Sequence, residues 1–85
     1  MRQGQTQAPS DTRLKTIFPS LDIYHQWVEG EKNVSNAYRR EFTRTERLIL
    51  FCKVSCGWGR PTIARKTGIA ENQVNRFYEK MREWR

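Results

Sequence analysis

The chain has no apolar run approaching the ~20 residues a membrane-spanning helix requires, and its opening residues, MRQGQTQAPSD, lack the apolar core of a secretory signal. A protein that stays in the compartment where it is made, the cytoplasm, is expected. Cysteine and histidine are scarce: two and one in 85 residues. Cys52 and Cys56 stand four apart on one predicted helix, badly aimed for a disulfide, and read as small buried hydrophobes in a reducing compartment. Only His25 could join them as a typical soft ligand, one short of the four that zinc wants, so no metal or cofactor is expected. There is no Ser/His/Asp constellation, and a lone histidine on an amphipathic helix reads as a surface or packing residue. An enzyme is therefore not expected. Strand-like alternation and internal repeats are also missing. What remains is an all-α chain whose length makes one small domain, with a core too small to enclose an elaborate active site.

Charge is plentiful and one-sided. Sixteen basic against nine acidic residues give +7. Residues 1–34 hold four of each sign, so the whole surplus lies beyond them: +3 over residues 35–56 and +4 from residue 57 onward. A basic excess confined to one stretch of a small domain is the electrostatic footprint of a polyanion-binding surface.

Residues 1–16 are polar and without periodicity, and read as a flexible tail ahead of a helical domain over 17–85. Pro19-Ser20 looks like a helix start. Leu21, Tyr24, Trp27 and Val28 then recur at helical spacing, and Gly30 is placed to end the helix. Ser35 can cap a further turn or two through Glu41. Thr43 with Glu46 three residues on fits a capping box, opening a helix that should run to about Ser55 before Gly57 stops it. The middle of that helix, LILFC, is apolar all round, which implies burial on two sides. Pro61 suits the first turn of the next short helix, which ends near Thr67. A last helix spans about Glu71 to Trp84, with Val74, Phe77, Tyr78, Met81 and Trp84 inward. The expected fold is thus a small all-α domain of three to five helices.

Residues 60–79, RPTIARKTGIAENQVNRFYE, carry the densest signal. Ala64 sits where one helix crosses another closely, Gly68 follows where a tight turn needs positive φ, and Ile69, Val74 and Phe77 supply the buried side of the second helix. That spacing is the pattern of a helix-turn-helix. On these residues, from the Thr43 cap through the Gly57 break to Ala64, Gly68 and Asn75-Arg76-Phe77-Tyr78, residues 43–79 resemble the DNA-binding domain at the C-terminus of serine resolvases and invertases, itself similar to homeodomain-like three-helix folds. The resemblance covers under half the chain. It implies a helix from about Glu71 lying in the major groove. The residues ahead of Thr43 are too few to hold the family's catalytic domain, so recombinase activity is not carried over. Ala70 stands where the family usually has a Ser or Thr cap. In place of a glycine- and arginine-rich minor-groove arm the chain offers Tyr38-Arg39-Arg40, making Arg39 and Arg40 candidates for an arm or a helical phosphate contact.

The exposed side of the last helix near its start offers Asn72, Gln73 and Arg76 for base edges, since arginine can grip guanine and an amide can grip adenine bidentately. Arg44, Arg60, Thr62, Arg65, Lys66 and Lys80 are candidates for phosphates. Asn75 lies to the side, where the resemblance implies a backbone contact. Trp58, between Gly57 and Gly59, reads as a plug for the core. The leading expectation is sequence-specific binding of double-stranded DNA by a small transcriptional regulator of prokaryotic or phage type, associated with the nucleoid. Its partner would be a second copy on a palindrome or a neighbouring DNA-bound protein. The alternative is a protein-interaction module on the same scaffold, for instance an inhibitor of a nucleic-acid enzyme, in which Trp58, Tyr78 or Trp84 would carry binding. RNA binding is a third reading, without the glycine-rich clamp or sheet aromatics of common RNA modules.

Overall fold

A computed structural model describes residues 8–83. Six helices follow one another: α1 Asp11–Ile17, α2 Leu21–Lys32, α3 Asn36–Glu41, α4 Arg44–Ser55, α5 Arg60–Thr67 and α6 Glu71–Glu83, with no strand among the described residues. The all-α class holds, and α1 takes the helix number past the expected five.

Hydroxyl caps set where four of these helices begin. Ser10, Ser20, Ser35 and Thr43 each accept a hydrogen bond from the amide three residues on, those of Arg13, Ile23, Tyr38 and Glu46. Each bond satisfies a donor that the first helical turn would otherwise leave open, typically worth about 1 kcal/mol. At Thr43 the box is reciprocal, Glu46 Oε1 accepting from the Thr43 amide at 2.9 Å. Past Ser55 the chain leaves the helix through Cys56 and Gly57, whose φ of 70° is open to glycine at little cost.

The tail expectation fails for residues 11–16. Leu14 is fully buried and Phe18 nearly so, with Ile17 packed beside them, so that the i, i+3, i+4 apolar triad of α1 belongs to the core. Asp11 fastens this helix by accepting from the Trp27 indole N–H at 3.0 Å and from the Arg44 guanidinium at 2.8 Å. Of the rest of the expected tail, residues 8–10 are without helix and Pro9 is buried, while residues 1–7 lie outside the described residues, as does Trp84.

Two expectations for α2 also change. Gly30 does not end it: the helix continues to Lys32, and Asn33 closes it by donating from its side-chain amide to the Glu29 carbonyl at 2.9 Å. Leu21 is 55% exposed, because the inward stripe is built on Trp27, with Ile23, Tyr24 and Val28 half-buried beside it.

Helix α4 lies at the centre. Leu48, Ile49 and Cys52 are fully buried, while Phe51 meets Phe18 and Trp27 at ring separations of 5.4 Å each. Its packing on α5 and α6, with Phe51 set against Phe18 and Trp27 of the N-terminal part, is the two-sided burial its apolar centre implies. Phe42, just ahead of α4, meets Phe77 of α6 at 6.0 Å. Arg47 is the buried charge of this helix, 7% exposed. It forks onto Glu31 at 2.8 and 3.0 Å and donates to the Phe42 carbonyl, and no buried side-chain nitrogen or oxygen among the described residues is left unpaired. The Glu31 carboxylate raises its pKa further above the usual arginine range. Cys52 is a buried free thiol as expected, whereas Cys56 is only half-buried. Burial pushes both thiols up.

Candidate nucleic-acid interface

The pair α5 and α6 is joined by three residues, Gly68, Ile69 and Ala70. Gly68 takes the left-handed conformation expected of it, φ 79° and ψ 4°, and its amide closes α5 on the Ala64 carbonyl at 2.9 Å. Ile69 is buried, and so is Thr67, whose hydroxyl donates to the Ile63 carbonyl at 2.6 Å and accepts from the Ile69 amide at 3.2 Å. Thr67 therefore fixes the turn from inside, a role sequence reasoning missed because a Thr ahead of Gly reads equally well as a plain helix end. Ala70 ends the connection as expected from its lack of a capping oxygen: only its carbonyl serves α6, accepting from the Gln73 and Val74 amides.

Val74 and Phe77 bury one face of α6. Asn72, Asn75 and Arg76 are exposed on another, and Gln73 is half-exposed at its edge. Gln73 and Arg76 also wall a shallow groove of about 260 Å³ against the start of α4, shared with Thr43, Thr45 and Glu46. The proposed readers are thus brought together at the N-terminal half of α6. This helix carries no net charge, since Glu71, Glu79 and Glu83 balance Arg76, Lys80 and Arg82. Helix α5 carries three basic residues, Arg60, Arg65 and Lys66, and no acidic one. Arg65 and Lys66 are exposed, as is Arg60, while Thr62 is half-buried.

The structure does not put every candidate cation on that surface. Arg44 is spent internally, 2.8 Å from Asp11, 2.9 Å from the Pro9 carbonyl and stacked 5.7 Å over Trp27. The Asp11 carboxyl is held below its ordinary value chiefly by the Trp27 indole and then by Arg44. Lys80 bridges Glu46 at 3.1 Å and the Glu41 carbonyl at 2.8 Å above the Phe42 ring. Both candidates thus face a carboxylate within the fold, Arg44 that of Asp11 from α1 and Lys80 that of Glu46 from α4. Arg39 and Arg40 stand in the last turn of α3, not in an extended arm, and Arg39 donates to the Glu31 carbonyl at 3.2 Å.

Trp58 is half-buried against the core, its amide donating to the Cys52 carbonyl at 3.2 Å and its ring lying 5.7 Å from Lys66 Nζ. Tyr78 is likewise half-buried, with Arg60 at 5.3 Å and Lys53 at 5.9 Å from its ring centre. Burial pushes the Tyr78 phenol up, against the pull of Arg60. An apolar groove of about 270 Å³, with Trp27, Val34, Leu50 and Phe51 in its walls and Val54 69% exposed beside them, includes no residue of α5 or α6. Among the described residues no cluster of His, Cys, Asp or Glu could hold a metal ion, and no helix is long and apolar enough to cross a membrane. No protein-family model, curated protein or solved structure matches the chain.

Proposed function

We propose that this chain binds double-stranded DNA sequence-specifically as a small transcriptional regulator, with α5 and α6 acting as a helix-turn-helix and α6 entering the major groove by its N-terminal half. The observation that carries the reading is a corner locked by Gly68 and Thr67 that leaves Asn72 and Arg76 exposed next to a helix of uncompensated positive charge. Asn72, Gln73 and Arg76 face base edges, each good bidentate pair giving about 1–3 kcal/mol of discrimination. Arg60, Thr62, Arg65, Lys66 and Asn75 take phosphates. The acidic Glu79 and Glu83 in the second half of α6 oppose deep entry of that end. Because one such domain spans a short half-site, a second copy or a neighbouring DNA-bound protein completes recognition. The cytoplasm of a prokaryotic or phage-infected cell suits such a protein.

With Arg44 and Lys80 engaged elsewhere, log affinity against log salt should slope near −3 to −4 rather than the −5 of six phosphate contacts, at about 0.9 per phosphate neutralised. The test is a salt titration on random duplex, followed by selection of a preferred duplex and its re-measurement with Arg76→Ala. Loss of about 1–3 kcal/mol of preference at one base position is expected. A variant that keeps the full preference removes Arg76 from the readout, and a salt-independent interaction removes DNA as the ligand.

A further inference from the structure

Arg44, Arg47 and Lys80 each meet a carboxylate, at 2.8, 2.8 and 3.1 Å, and two of these three, Arg44 and Lys80, also lie over a ring. Lys53, Arg60 and Lys66, like Lys15, lie over aromatic rings and meet no carboxylate among the described residues. Two of them share one ring: Lys53 from the last turn of α4 and Arg60 from the first residue of α5 both lie within 6 Å of the Tyr78 centre. A ring face attracts a cation through its quadrupole but neutralises nothing, and it leaves the N–H donors unused. Lys53 of α4 and Arg60 of α5 are therefore held close over a ring of α6, oriented and uncompensated.

Such a cluster is complementary to a chain of regularly spaced anions. On α6, Tyr78 lies about 140° around the helix axis from Gln73, so this surface is a flank, on another side of the helix from the proposed reading face. We infer that Lys53 and Arg60, gathered on Tyr78, form a phosphodiester-binding flank that grips the nucleic-acid backbone beside the segment read by α6. This rests on the DNA-binding reading above and extends it to Lys53 and to the Tyr78 ring, which acts as a positioning residue. The planar fork of arginine can take two phosphate oxygens at once, and a nucleic-acid backbone offers such groups at regular spacing. Gripping and reading are thereby divided: the flank supplies the salt-dependent part of affinity, and neutral α6 supplies the base preference.

The test compares three full-length proteins by fluorescence anisotropy on labelled random duplex across a salt series: the unmodified chain, Lys53→Gln/Arg60→Gln, and Lys32→Gln/Arg82→Gln. The last removes the same charge where each cation already faces a carboxylate one turn away, at 3.6 Å. The flank variant should lose about 1.8 from the magnitude of the slope, so that between 50 and 200 mM salt its affinity falls about twelvefold less than that of the unmodified chain. The control variant should keep the original slope. Tyr78 ring resonances of the unmodified protein should also shift on adding duplex, which reads the flank without any substitution.

A flank variant with an unchanged slope, or Tyr78 resonances that do not move while duplex binds, overturns the flank and leaves the α6 reading standing. A flank-dependent slope with no base preference and no effect of Arg76→Ala does the reverse. No duplex binding by the unmodified chain sinks both. Polyglutamate that displaces duplex at equal charge concentration overturns phosphodiester as the ligand.

Discussion

Two glycines should respond to the same substitution with opposite signs. At Gly68, φ is 79°, and a Cβ built there meets nothing within 4 Å. The cost of Gly68→Ala is therefore backbone strain alone: about 1–2 kcal/mol for a left-handed L-residue, offset by about 0.4–1 kcal/mol because alanine restricts the unfolded chain. The net loss is up to about 1.6 kcal/mol, about 0.8 kcal/mol at mid-range. At Gly30 a Cβ also meets nothing within 4 Å, but the residue lies inside α2 with helical backbone. There Gly30→Ala should add about 0.5–1 kcal/mol, the usual helix-interior difference. At about 4–8 °C per kcal/mol for a domain of this size, the two variants should melt on opposite sides of the parent and differ by about 6–12 °C at mid-range values. Thermal melts followed by far-ultraviolet circular dichroism give the result directly. A Gly68→Ala protein as stable as the parent would show that the turn does not need the left-handed conformation, and a Gly30→Ala protein that melts lower would show that α2 stops where its glycine stands.

Truncating Leu14 to Ala should cost about 2–5 kcal/mol in urea unfolding, the range for a large aliphatic side chain deleted from a packed core; a value under ~0.5 kcal/mol would return α1 to the status of a tail. Asp11 makes stability depend on pH. Its carboxyl is held below the ordinary 3.8, so its contribution is present above that value and is lost as pH falls through the lower folded one. Asp11→Asn should then melt below the parent at neutral pH, and the gap should close as both are titrated below about pH 4; a gap that stays constant with pH would mean that the ionised carboxylate is not what holds Trp27 and Arg44.

Helices α4, α5 and α6 were legible because their boundaries are local. A Thr43–Glu46 box, a proline in a first turn and a glycine after Thr67 act over three or four residues, and each does in the fold what its neighbours in sequence require. Helix α1 carried the same kind of signal, Ser10 ahead of Leu14, Ile17 and Phe18, but too short to outweigh its polar setting. A seven-residue helix is not stable by itself. It forms because Trp27, Phe51 and Arg44, far along the chain, give it a surface and an ion pair.

The division of the basic residues had no such local mark. By itself the sequence determined how many cations there are, that their excess lies after residue 34, and which helices carry them. Only the tertiary structure decided that Arg44 and Lys80 face carboxylates while Lys53 and Arg60 share a ring. The reason is physical: capping depends on a few neighbouring torsions, whereas the partner of a charge depends on which helix faces which. That choice is made by burying Leu48, Ile63, Val74 and Phe77 together, and the charges are carried to wherever that packing leaves them.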